Sequence, residues 1–99
     1  MNVMSENIKI IERVRKHYVD KLGREVGALS AYARDLGVDP RLVHWWKNND
    51  RPIPGYHGLA TERATGGKVT EAEIILNEVQ DRAKRKQARS ERWRAGKAA

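Results

Sequence analysis

The feature that most constrains the fold is a short break in helical periodicity, Leu36-Gly37-Val38-Asp39-Pro40. Gly37 suits the left-handed backbone that commonly ends a helix. Asp39 is a preferred N-cap, and Pro40 is a preferred first helical residue. Because apolar residues recur at helical spacing on both sides, the break predicts two short helices joined by a turn of about three residues, a helix-turn-helix arrangement. The predicted helices are 28–36 and 40–47.

Further helical patterns flank this pair. Ser5 is a suitable N-cap for a first helix, which Gly23 ends. A fourth helix is expected over about 56–64, and Thr70 with Glu73 forms a capping box that opens a fifth. Since no stretch alternates between apolar and polar residues as strands do, the sequence predicts an all-α domain of four to five helices with a basic C-terminal extension. The first helix is expected to bury Ile8, Ile11, Tyr18, Val19 and Leu22.

Charge is distributed unevenly along the chain. Lys and Arg number 20 against 13 Asp and Glu, giving a formal net charge of +7 over 99 residues. Residues 80–99 hold eight of the basic and two of the acidic side chains, so the excess lies almost wholly there. Such a balance favours a polyanionic partner, either nucleic acid or an anionic membrane surface. We expect a DNA-binding domain at 1–79 and, at 80–99, either a helical extension or a disordered tail that contacts DNA or a protein partner.

Several classes of function are disfavoured by what the chain lacks. It has no Cys, which excludes disulfides, thiol catalysis and thiolate metal sites. His17, His44 and His57 have neither metal-ligand spacing nor a nucleophile to activate. No signal peptide and no bilayer-spanning apolar stretch is recognisable. We therefore expect a protein that is not an enzyme, needs no cofactor or metal, has no membrane partner, and acts in the cytoplasm of a bacterial cell, at the nucleoid.

The second helix of the pair has two distinct faces. Its helical phase places Val43 and Trp46 on one side, which we expect to be buried. The opposite face carries a guanidinium, an imidazole, an indole and an amide, which are groups that can recognise bases in a major groove. For the indole an alternative is packing, either under the connector at 51–54 or in a dimer interface. The outward residues are Arg41, His44, Trp45 and Asn48.

Other residues near this helix are candidates for holding the DNA backbone. Ser30, near the start of the first helix of the pair, has a hydroxyl that can donate to a phosphate. Lys47 and Arg51 are suited to phosphate contacts, which position a protein on DNA without reading its sequence. The N-terminal part of such a helix usually reaches base edges. The full set of candidate DNA-binding residues is Ser30, Pro40, Arg41, His44, Trp45, Lys47, Asn48 and Arg51.

The segment 28–38 resembles the lambda Cro/repressor-like family. The continuation of the chain is more similar to the short Cro-like prophage regulators of the YdaS type, on three features: Trp46, Arg51-Pro52-Ile53-Pro54, and Glu62-Arg63-Ala64-Thr65-Gly66-Gly67-Lys68-Val69-Thr70. The resemblance covers about residues 26–75. It implies a repressor-like domain of four or five helices that regulates transcription, often of nearby phage or prophage genes.

The chain departs from that pattern at the start of the second helix of the pair, 40–47. Asp39, Pro40 and Arg41 stand where small or polar residues are usual, and His44-Trp45 replaces a small polar residue followed by Lys. The resemblance therefore does not carry over a base specificity.

These features together favour a sequence-specific, double-stranded DNA-binding transcriptional regulator. One such helix reads only a few base pairs, so a homodimer on a palindromic operator is expected. The apolar face of the fifth helix (Ile75 and Val79) is the first candidate for the dimer interface, and the long first helix is the second. The alternative is an antitoxin or antirepressor, whose main role is binding a protein partner through the tail.

Overall fold

The computed structural model describes residues 4–98 and is built entirely from helices. Within these residues there are five α-helices and one 3-10 turn, and no strand. The all-α prediction is therefore confirmed. The elements are α1 Glu6–Leu22, α2 Ala28–Leu36, α3 Pro40–Asn48, the 3-10 turn Gly55–His57, α4 Gly58–Ala64 and α5 Glu71–Ala98.

Two boundaries differ from the predicted ones. The helix expected over 40–47 continues for one more residue, to Asn48, and Asn49 is its C-cap. The helix expected over 56–64 is divided, with the 3-10 turn Gly55–His57 preceding an α-helix that begins at Gly58. In this turn the N–H of His57 donates to the carbonyl of Pro54 at 2.9 Å, which is the i to i+3 hydrogen bond of a 3-10 helix.

The turn between α2 and α3 has the predicted left-handed glycine and the predicted N-cap. Gly37 has a φ of 75°, the left-handed conformation that glycine adopts at low cost. The N–H of Val38 donates to the carbonyl of Ala33 at 3.0 Å, and that of Gly37 to the carbonyl of Arg34 at 3.1 Å, which is a Schellman motif. The Asp39 carboxylate then accepts the N–H of Arg41 at 2.8 Å and caps α3.

The core lies between α1, α2 and α3 and is closed by the later part of the chain. Val43 and Trp46 are 0% and 3% exposed, so the inward phase predicted for α3 is confirmed. The expected face of α1 was wrong at Leu22, which is 37% exposed, since the buried apolar residues of this helix occur earlier along it. Those buried residues are Ile10, Ile11, Val14 and Tyr18.

α5 starts against the rest of the domain and then runs beyond it. The capping box forms as predicted, with the Thr70 N–H donating to the Glu73 carboxylate at 2.9 Å and the Glu73 N–H to the Thr70 hydroxyl at 3.2 Å. Ile74 and Asn77 face the core, whereas Ile75 and Val79 are 43% and 55% exposed on the outer side.

The basic C-terminal extension is helical, because α5 continues to residue 98. The division predicted between residues 79 and 80 falls within this helix and stays a prediction. Residues 1–3 and 99 of the two predicted segments lie outside the described residues. None of the helices in the described part of the chain combines the length and apolar content that a bilayer-spanning segment requires.

Candidate nucleic-acid interface

The outer face of α3 is the centre of the candidate interface. Arg41, His44 and Asn48 are exposed, and the Trp45 side chain is about half exposed at 49%. On the opposite side, Trp46 is packed into the core. The four side chains that the sequence placed on this outward face therefore do share it, and they extend from a helix whose orientation is held by the core.

Arg41 is held back against the N-cap of its own helix. Its Nη2 lies 2.9 Å from Oδ2 of Asp39, and its Nε is 3.3 Å from each of the Asp39 carboxylate oxygens. Hydrogen bonding to Arg41 lowers the pKa of Asp39, and the same hydrogen bond raises the pKa of Arg41. The Arg41 side chain is nonetheless 92% exposed. An ion pair this exposed is weak, so the guanidinium can exchange the carboxylate for another acceptor.

A shallow cleft of about 210 Å³ lies between the start of α2 and the outer side of α3. Ser30, His44 and Lys47 all line it, so three of the predicted site residues are brought together by the fold. Arg15 of α1 lines the same cleft. Arg15 was not among the residues predicted from the sequence, because no local signal reveals which side of α1 faces this cleft.

Two cations at this cleft share one carboxylate. Oε2 of Glu12 lies 3.0 Å from Nε of Arg15, and its Oε1 lies 3.6 Å from Nζ of Lys47. Glu12 thus links α1 to the last turn of α3. Because these side chains are about one-third exposed, both cations remain reachable from solvent at the edge of the cleft.

Trp45 and Arg51 form a second group on the other flank of α3. The Arg51 guanidinium carbon lies 5.7 Å from the centre of the Trp45 ring, within range of a cation–π contact. The indole thus packs against the connector after α3 and still presents about half of its surface to solvent. Both uses considered for Trp45, packing under the connector and contact with a partner, are compatible with this position.

The remaining predicted residues lie at the two ends of α3. Pro40 is its first residue and is exposed beside Asp39, and Asn48 is its last helical residue. Within residues 4–98, no group of three or more histidine or acidic side chains is arranged to hold a metal ion.

The fold and this surface define the class: a small all-α domain with a helix-turn-helix at its centre. The chain matches the family model described as "Bacterial toxin YdaS" over residues 19–75, which is more than half of its 99 residues. It therefore belongs to this family, and the resemblance to the YdaS type is confirmed. The match runs from the last turn of α1 to the first turns of α5. No curated protein and no solved structure matches the chain.

Proposed function

We propose that this protein is a sequence-specific DNA-binding regulator of transcription that inserts α3 into the major groove. The observation that carries the proposal is the two-sided character of α3: Val43 and Trp46 are buried, while Arg41, His44 and Asn48 are exposed together. Hydrogen-bonding side chains on a rigidly anchored helix are what direct readout of base edges requires.

α3 supplies the base readers, first among them Arg41 and His44. Arg41 leaves Asp39 and donates two hydrogen bonds to a guanine, the commonest specific contact in the major groove. His44, one turn further along, donates to a base acceptor or a phosphate. Asn48 can pair with an adenine through its amide, and the exposed edge of Trp45 packs against a thymine methyl or a sugar.

The cleft and the connector supply the phosphate contacts. Ser30 and Arg15 lie on one side of α3 with Lys47, and Arg51 lies on the other. Contacts of this kind set the orientation of the helix in the groove. In this proposal the protein acts on DNA inside the bacterial cell by binding alone, without catalysis and without a cofactor.

The proposal includes a homodimer on a palindromic operator. The outer side of α5 carries Ile75, Leu76 and Val79, which are 43%, 57% and 55% exposed. Leu76, Val79 and Ala83 have the 3–4 spacing of a helix-pairing seam. Two copies paired along this seam would carry two α3 helices, one for each half-site of a palindromic operator.

A second candidate function is membership of a toxin–antitoxin or antirepressor pair, in which a protein partner is the main target. The family description as a bacterial toxin favours it. Exposed Trp93, at 65%, offers an apolar anchor on the basic extension for such a partner. In this candidate, DNA binding is secondary.

Selection from a pool of random duplexes tests the proposed function. The wild-type protein is expected to enrich a short motif with inverted symmetry, with a guanine at a fixed position that the Arg41→Ala variant no longer enriches. A pool that stays random through repeated rounds, although the protein retains DNA, would contradict sequence-specific binding and favour the second candidate.

A further inference from the structure

Four arginines from two distant parts of the chain line one groove. Arg51 comes from the connector after α3, and Arg85, Arg89 and Arg92 come from the extension of α5. The groove has a volume of about 350 Å³, and Ala88 is its remaining lining residue. Its lining thus contains no carboxylate, although 13 acidic residues are present in the chain.

The spacing of these residues explains why the groove forms on this side of α5. Positions 88 and 89 lie three and four residues after position 85, and position 92 lies four and three residues after them, so the four side chains share one helix face. That face continues the one that carries Ile74 and Asn77 in the core. Further along α5, beyond the core, the same face therefore carries arginines instead of buried residues.

Arg85 anchors this face to the end of α3. Its Nη2 donates to the main-chain carbonyl of Asp50 at 2.6 Å, and its Nε donates to Asp81 at 2.7 Å. Arg51, the next residue after Asp50, lies over the ring of Trp45. The groove is therefore continuous with the surface of α3 through Arg51.

We infer that this arginine groove binds the phosphate backbone of the DNA that flanks the site read by α3; the inference rests on the proposed function. The guanidinium group suits phosphate because it donates two parallel hydrogen bonds and stays charged. From Arg85 to residue 98 the helix extends for about 20 Å, enough to pass several phosphates. The groove thus extends the footprint without reading bases.

The test compares two double variants that each remove two positive charges from the extension of α5. Arg89→Gln/Arg92→Gln alters the groove. Lys86→Gln/Arg94→Gln is the matched control, since neither residue lines the groove and both are exposed on the same helix. The probes are a duplex from the region upstream of the protein's own gene and a scrambled duplex, titrated by fluorescence anisotropy over a series of salt concentrations. Circular dichroism checks that all proteins are equally helical.

Removal of the groove arginines is expected to weaken binding to both duplexes by a similar factor, roughly tenfold at low salt. The slope of log affinity against log salt should fall by about two, one for each lost phosphate contact. The control variant should change the affinity and the salt slope by less than half as much as the groove variant does. The ratio of affinities for the two duplexes should be unchanged, because phosphate contacts carry no sequence information.

Equal losses of DNA affinity in the two double variants would overturn the inference that the groove binds phosphates, since they would show that only overall charge matters. Undiminished binding by the Arg89→Gln/Arg92→Gln variant would also overturn it. The proposed function is judged separately, by whether the wild-type protein prefers its own upstream duplex. If it shows no preference, the proposed sequence-specific regulation is wrong. The affinities of the two double variants for the scrambled duplex then still test whether the groove binds phosphates. If the wild-type protein binds neither duplex, both the proposed function and the inference about the groove are wrong.

Discussion

The side-chain amide of Asn7 donates a hydrogen bond to the main-chain carbonyl of Asp50 at 2.9 Å and thereby ties the start of α1 to the end of α3. Asn7 is 5% exposed. It also donates to Asp81 at 2.9 Å and accepts from Asn77 at 2.8 Å, both on α5. One buried amide therefore joins α1 and α5 to Asp50, the residue that follows the C-cap of the proposed recognition helix.

Asn7→Ala is expected to destabilise the fold by about 1–3 kcal/mol, because the buried side-chain amide of Asn77 loses its hydrogen-bond acceptor. Urea unfolding followed by circular dichroism measures the change. Gln80→Ala, at an exposed position of α5, is the control and should stay within about 0.5 kcal/mol of wild type. A free energy of unfolding for Asn7→Ala as close to wild type as that of the control would show that the network does not stabilise the domain.

The neighbouring tryptophans of α3 are expected to respond in opposite ways. Trp46→Ala opens a cavity in the core and should cost about 3–5 kcal/mol of stability, since Trp46 is 3% exposed. Trp45→Ala should cost less than about 1 kcal/mol yet weaken DNA binding several-fold. Thermal unfolding and a DNA titration separate the two effects. If Trp45→Ala unfolds the domain as readily as Trp46→Ala, Trp45 is a packing residue.

Acid should remove one stabilising ion pair in a defined pH window. A hydrogen bond from Arg13 is the main cause that lowers the pKa of Glu73 from 4.5 to about 2, and the two side chains meet at 2.8 Å. Because the folded-state pKa is depressed, the stabilisation is complete above pH 4.5 and is lost as the pH falls towards 2. Urea midpoints of wild type and Glu73→Gln should therefore differ most near neutral pH and converge near pH 2. Glutamine preserves the capping box, so a difference that is independent of pH would contradict the ion-pair account.

The proposed dimer depends on the outer side of α5. Leu76→Lys/Val79→Lys places charge in the seam and should convert dimers to monomers, because unpaired charges are costly to bury at an interface. Sedimentation equilibrium measures the mass. Val26→Lys, at an apolar residue that is 81% exposed in the loop between α1 and α2, should leave the mass unchanged. A wild-type protein that is monomeric both free and on its operator would rule out this mode of pairing.

Much of the fold is determined by local signals in the sequence. The N-cap at Asp39, the glycine at position 37 and the opposed faces of α3 depend on residues a few positions apart, and periodicity and capping rules capture such relations. The presence of a basic extension was equally visible in the charge distribution. These features required no knowledge of how the helices pack.

Contacts between distant parts of the chain could not be predicted from the sequence. Asn7 reads as a polar residue in the first turn of a helix, yet it is buried because α5 passes over it. The approach of Arg85 to Asp50, 35 positions away, depends on the angle between α3 and α5. The ion pair between Asp39 and Arg41 is local, but helical phase alone does not show that the guanidinium folds back onto the cap.

The most direct test of the central claim is a titration of Arg41→Ala and wild type against the upstream duplex and a scrambled duplex, at two salt concentrations. Arg63→Ala removes another exposed arginine, from α4, and controls for charge. The account predicts that Arg41→Ala loses roughly ten- to a hundredfold in affinity for the upstream duplex, while its affinity for the scrambled duplex falls no further than that of Arg63→Ala. If the two variants lose affinity equally on both duplexes, and high salt abolishes all binding, α3 is not reading DNA sequence.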